Sequence, residues 1–226
     1  MRRVIGVLWR PRQAMAEVVS QPALAWAWVV LLAVVALCAL ALLSTAVGRQ
    51  ALVDERVRII EALGGRVDDA LYAALQANPP WLVYLTSGGR LLLTPPFTLL
   101  VAAGWMSLAA LDGVKVRYGV ALAVTVHASL VLALHQIVIT PLHFVRESLG
   151  SPTTIAGILP MLEEGSMPAR WLGSIDLFGL WWMWLLAVGL AAATGRPVAR
   201  YLARLLAAYV GSAAIVAAVF AVLGAE

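Results

Sequence analysis

Residues 23–47 read ALAWAWVVLLAVVALCALALLSTAV, with no acidic or basic side chain among them. An ionised group at the centre of a bilayer costs roughly 2.5–3.5 kcal/mol even on the lenient insertion scale, and about 20 apolar residues suffice to cross as a helix. The stretch therefore reads as a membrane span. A secretory leader would carry an apolar core of only about 7–15 residues and a small-residue cleavage site, so the run reads as a retained anchor. Working outward with the same criterion gives four further spans, at 91–111 between Arg90 and Asp112, 118–141, 174–195 and 205–225. The expected fold is all-α, a single integral membrane domain over 1–226 built as a five-span helical bundle, with outer segments at 48–90 and 146–170.

Composition points the same way. The chain is 62% hydrophobic and 12% charged with mean hydropathy +0.91, where a soluble domain is about half apolar and a quarter charged. A disulfide framework is excluded because Cys38 is the only cysteine.

The basic residues set the expected orientation, since they stay preferentially on the cytoplasmic side. With five spans the N-terminus and the loops 112–118 and 196–204 share one face. That face carries Arg2, Arg3, Arg10, Arg12, Lys115, Arg117, Arg196, Arg200 and Arg204 against only Glu17 and Asp112. The other face is slightly acidic, which predicts a cytoplasmic N-terminus and an outer C-terminus. Topology thus accounts for the net charge of +4 without a nucleic-acid partner.

Between residues 51 and 75 the apolar positions Val53, Val57, Ile60, Val67 and Leu71 recur at three- and four-residue spacing among acids and arginines. This predicts an outer amphipathic helix interrupted at Gly64-Gly65. In SPTTIAGILPMLEEG, residues 151–165, Ser151 or Thr153 is expected to open a short helix that Pro160 and Gly165 interrupt or end. Thr94-Pro95-Pro96 suggests that Leu91–Leu93 enter the membrane extended, with helix starting at Pro95.

Few residues inside the spans carry chemistry. Asp176 is the one acid, a candidate for a relay or, at the outer start of the fourth span, for an anchor that either caps the first turn or pairs with an outer-side partner such as His143 or Arg170. His127, His135 and His143 are eight residues apart, about 12 Å along a helix and roughly 80° around it, so they cannot share one metal ion on a straight helix. Hydrogen bonding is their expected role, with His143 at the water boundary after Pro141. Trp181, Trp182 and Trp184 cover most of a helix circumference and are expected to pack between helices or against lipid. Trp9, Trp26, Trp28, Trp81 and Trp171 fit an interfacial belt. Phosphate loops, dinucleotide fingerprints, nucleophile elbows and metal-spaced Cys/His clusters are missing from the sequence, so no catalytic site, metal or cofactor is expected. Ala207, Gly211, Ala214 and Ala218 form a small-residue stripe that would pack on another span of the chain or on a second copy.

The stretch IDLFGLWWMWLLAVGLAAATGRPVARYLARLLAAYV, with TPLHFVRESLGSPTTIAGILP before it and LWRPRQAMAEVVSQPALAW at the opening, resembles the Yip family of membrane proteins, named for interacting with Ypt/Rab GTPases, in its bacterial branch. The D-x-F-x-x-W pattern places Asp176, Phe178, Trp181 and Gly189 at the matched positions. The resemblance implies five spans with a cytoplasmic N-terminus and, from eukaryotic relatives, roles in vesicle traffic and membrane shaping. The longer N-terminal region and the D-L-Y-G-P type motif of that eukaryotic branch are missing here, which argues against a Rab-type partner. Arginine and alanine richness adds a bacterial, inner-membrane expectation. The function expected is a non-enzymatic protein of the lipid bilayer that organises membrane or scaffolds a membrane-protein partner or homo-oligomer. The competing expectation is a small transporter or channel subunit using Asp176, His127 and His135.

Overall fold

In the computed structural model, which describes residues 2–77, 80–159, 161 and 166–223, the chain is all-α and no strand occurs among the described residues. The helices are α1 (Arg2–Trp9), α2 (Pro11–Ser20), α3 (Ala25–Leu43), α4 (Ala46–Ala62), α5 (Asp69–Gln76), α6 (Pro80–Leu111), α7 (Tyr118–Ala128), α8 (Leu130–Arg146), α9 (Ile155–Ile158), α10 (Met167–Gly173), α11 (Leu177–Thr194) and α12 (Val198–Leu223). Five segments among the described residues are long and apolar enough to cross a bilayer: Ala25–Leu43, Leu91–Leu111, Tyr118–Arg146, Leu177–Thr194 and Val198–Val219.

The chain divides into two compact units. The first comprises Met1–Val35, Arg90–Gln136 and Phe178–Ala208. Its centre is α7, where every residue from Val120 to Ala128 is buried, the pattern of a helix apolar on all sides. α1 and α2 pack against α7 and bury Val7, Ala14, Met15 and Val18. The sequence reading assigned no helix there. Pro11 at the first position of α2 lacks the N–H that would have been unpaired anyway, so it opens a helix at no hydrogen-bond cost.

The second unit comprises Ala36–Gly89, Ile137–Leu177 and Tyr209–Glu226. Leu43 and Leu52, with Leu149 against them, form a small apolar cluster, Ala51, Val53, Ile139 and Ile175 are buried as well, and caps and turns fix the helix ends. Thr45 accepts a hydrogen bond from Gly48 N at 3.0 Å and donates to Leu42 O at 2.6 Å. A Cβ on Gly48 would fall 2.1 Å from that carbonyl oxygen, so only glycine fits the corner. Asp68 caps α5 through Leu71 N at 2.8 Å, and Gln50 on α4 donates to Tyr72 on α5 at 3.0 Å.

Several boundaries differ from the sequence reading. The first span ends at Leu43, because the Thr45 cap starts a new helix where a run to Val47 was expected. The outer helix does break at Gly64, with φ of 83°, but of its apolar positions only Val53 is buried and Leu71 is exposed. Leu91–Leu93 are helical rather than extended, and Pro95 and Pro96 lie inside α6. An extended entry would leave amides unpaired in an apolar medium, whereas the helix loses only two donors. Thr98 Oγ1 donates to Pro95 O at 2.8 Å.

Pro141 likewise lies within α8, which continues to Arg146, and His143 near its end is buried. α12 begins at Val198, so Arg200 and Arg204 are helical residues, not members of a loop ending at 204. Ala207, Gly211, Ala214 and Ala218 are exposed, whereas Tyr201, Ala213 and Ala217 of that helix are buried. The stripe is therefore left uncovered by the described residues.

Candidate functional site

In the second unit, Asp176 lies in the extended step before α11. Its Oδ2 accepts hydrogen bonds from Ser151 Oγ at 3.0 Å and from Thr153 Oγ1. The backbones pair as well, with Ile155 N to Ile175 O at 2.9 Å and Leu177 N to Thr153 O at 3.1 Å, forming an isolated antiparallel bridge between Thr154 and Asp176. Asp176 N donates to Tyr209 Oη at 3.2 Å, and that hydroxyl donates to Ser174 O at 3.3 Å. The carboxylate thus joins loop 151–155 to the start of α11 through neutral donors, while Tyr209 ties the same step to α12. Hydroxyl donors to an ionised acceptor form charge-assisted hydrogen bonds, which offset part of the cost of a carboxylate beside an apolar span.

This arrangement corrects the reading of 151–165. The short helix is α9, and its cap is Thr154, which accepts from Gly157 N at 3.1 Å. Ser151 and Thr153 do not cap because their hydroxyls donate to Asp176. Pro160 and Gly165, expected to end this helix, lie outside the described residues.

The candidates His127, His135, Phe178, Trp181 and Gly189 fall in the first unit. His127 is buried, and its Nδ1 lies 2.8 Å from Ala123 O on the same helix. A carbonyl can only accept, so Nδ1 carries the proton. His135 stacks on Phe178 with ring centroids 4.7 Å apart, and Phe178 meets Trp181 at 6.1 Å. Trp182 stacks on Phe97 at 5.7 Å. Trp9, Trp26 and Trp171 are exposed. Trp28 instead packs against the core, and the side chain of Trp81 lies outside the described residues.

Gly189 marks a close approach between α7 and α11: a Cβ there would fall 2.2 Å from Val124 Cγ1. Phe178, Trp182, Leu185 and Gly189 are spaced four, three and four residues apart, so they share one face of α11. The matched motif is therefore largely a packing surface.

Two features of this unit escaped the sequence reading. Trp105, buried on α6, donates from Nε1 to Thr125 Oγ1 at 2.7 Å, and that hydroxyl donates to Ala121 O at 3.0 Å. At the end of the same helix, Asp112 receives both arms of Arg204 at 3.0 Å and Arg200 at 3.4 Å. The hydrogen-bonded Arg204 guanidinium holds the Asp112 carboxyl below the usual carboxylate range, against the opposing effect of burial. The spacing of 88 and 92 residues offers no local signal for either pair.

Among the described residues no group of three His, Cys, Asp or Glu side chains is placed to hold a metal ion. The contacts found around Asp176, His127 and Asp112 fasten loops and helices. The family model described as the Yip1 domain matches residues 5–222. No curated protein and no solved structure matches the chain.

Proposed function

The chain belongs to the Yip1 domain family and is an integral membrane protein, and from that premise we propose that it is a non-enzymatic component that organises the bilayer or holds partner proteins within it. The observation that carries the proposal is the use made of the polar groups in and beside the spans. His127 is bonded to its own helix, His135 is stacked on Phe178, and Asp176 receives two loop hydroxyls. A relay needs groups free to exchange protons or solute, and these have structural partners.

The proposal includes a cytoplasmic N-terminus in a bacterial inner membrane. It is supported by the excess of basic over acidic residues near the N-terminus and at the junctions after 111 and 194. A homo-oligomer formed through the exposed small-residue face of α12 is part of the same reading.

Reconstitution into liposomes tests it. With protein inserted at increasing density, vesicle size or curvature measured by electron cryo-microscopy should change while proton and solute leak stays at that of empty liposomes. Saturable flux that Asp176→Asn abolishes would overturn the proposal in favour of a transporter.

A further inference from the structure

A cleft of about 570 Å3 opens in the first unit where α11 ends and α12 begins. Its chemistry is divided. Val188, Ala191 and Ala192, from the last two turns of α11, supply an apolar wall. Arg12 on α2 and Arg196 in the connection supply two cationic groups. The backbone explains how Arg196 comes to be there. Gly195 has φ of 69° and donates to Ala191 O at 2.9 Å, an αL stop that turns the chain out of α11.

Both guanidinium groups are exposed, and neither forms an ion pair among the described residues. Asp112, the carboxylate facing this end of α12, is engaged by Arg200 and Arg204. Glu17 on α2 lies five residues beyond Arg12, about 140° around the helix. The cleft lining contains no acidic side chain. Val198 and Ala199, at the start of the 26-residue α12, also border it, and amides in a first helical turn lack carbonyl partners within their helix.

We propose that this cleft holds an anionic phospholipid, with Arg12 and Arg196 on its phosphate and the α11 wall against the glycerol and upper acyl region. Position supports a lipid over a free anion. Two membrane-crossing segments, Leu177–Thr194 and Val198–Val219, meet at this connection, so it lies where headgroups lie, and the apolar wall continues into a spanning helix. A free phosphate would leave that wall wet. The charge selects among lipids: two unpaired cations favour a net negative headgroup, and an ammonium-bearing zwitterionic head would find no acidic side chain in the lining. The inference needs only that the helices span a bilayer and does not depend on the organising role.

The test is native mass spectrometry of the full chain released from nanodiscs made of phosphatidylglycerol and phosphatidylethanolamine in equal amounts. The parent should retain phosphatidylglycerol in preference. Arg12→Gln combined with Arg196→Gln should reduce that preference at least about tenfold, while Arg10→Gln, outside the cleft, should leave it intact. Ala192→Leu keeps both charges and narrows the wall, and it should weaken retention too. Circular dichroism melting of each variant separates loss of lipid from loss of fold. Undiminished preference in the folded double variant would overturn the proposal. So would displacement of the lipid by millimolar inorganic phosphate, which would make the cleft a site for free anions.

Discussion

Around α7 in the first unit, Val120 to Ala128 are buried without exception and Gly189 leaves no room for a methyl beside Val124. The second unit has a smaller apolar cluster at Leu43 and Leu52, and its helix ends carry the Thr45 cap, the Gln50–Tyr72 pair and the hydroxyls on Asp176. The first unit is organised around a helix buried on all sides, and in the second, hydrogen bonds at helix ends stand beside a smaller apolar cluster. The contrast extends to the two aspartates at span boundaries. Asp112 is met by two arginines, whereas Asp176 receives hydroxyls and shares a backbone bridge. The lesson is that polar residues bordering spans in this chain belong to its fastening, through two arginines on Asp112 and through loop hydroxyls and a backbone bridge at Asp176.

The comparison can be broken most forcefully at Gly189. Replacing it with leucine should cost about 3 kcal/mol or more, because Val124 is β-branched and fixed in a packed core. Gly104→Ala on α6, where a Cβ meets nothing within 4 Å, should be tolerated. Thermal unfolding in detergent would show the difference, and equal midpoints for both variants would contradict a volume-limited first unit.

A smaller effect is expected at Thr153 in the second unit. Thr153→Val keeps the shape and removes one donor to Asp176, which should cost roughly 1.5 kcal/mol. Thr153→Ser should recover most of it. If valine matches the parent, hydroxyl donation is not what holds that loop.

The smallest effect belongs to Asp112. Asp112→Asn should lower the melting midpoint modestly at low salt and less at 0.5 M, since its arginines are partly in solvent. The carboxyl is depressed in the fold, so its contribution is present above the unfolded pKa, about 3.9, and is lost as pH falls through the lower folded value. The gap between parent and Asp112→Asn should therefore be constant from pH 7 to about 5 and narrow below about 4. A gap that widens on acidification would reverse the assigned sign.

The spans were legible because exclusion of charge from lipid is a local rule that each run reports by itself. Their ends were less legible. Arg200 and Arg204 looked like loop residues by charge, yet α12 includes them because Asp112, far away in sequence, receives them. Pro95, Pro96 and Pro141 looked like breaks, but continuing the helix leaves fewer amides unpaired in an apolar setting. The α1–α2 pair was missed although Ala14, Met15 and Val18 do recur at helical spacing, because the two helices are short, rich in arginine and divided at Pro11, and they bury that face against α7. At Asp176 the sequence marked the residue but not its partners. Ser151 and Thr153 lie 25 and 23 positions earlier, and their own neighbourhood suggested caps.

Asp176 decides between an organising protein and a transporter, so the most direct measurement is the thermal stability of Asp176→Asn and Asp176→Leu beside the parent in lipid nanodiscs. Asparagine keeps a carbonyl oxygen to accept from Ser151 and Thr153 and should remain close to the parent. Leucine leaves both hydroxyls without that acceptor and should melt lower, by a loss of roughly 1–3 kcal/mol. If both variants melt with the parent, Asp176 has no fastening role, and the account of the polar residues as structural fails at its central point.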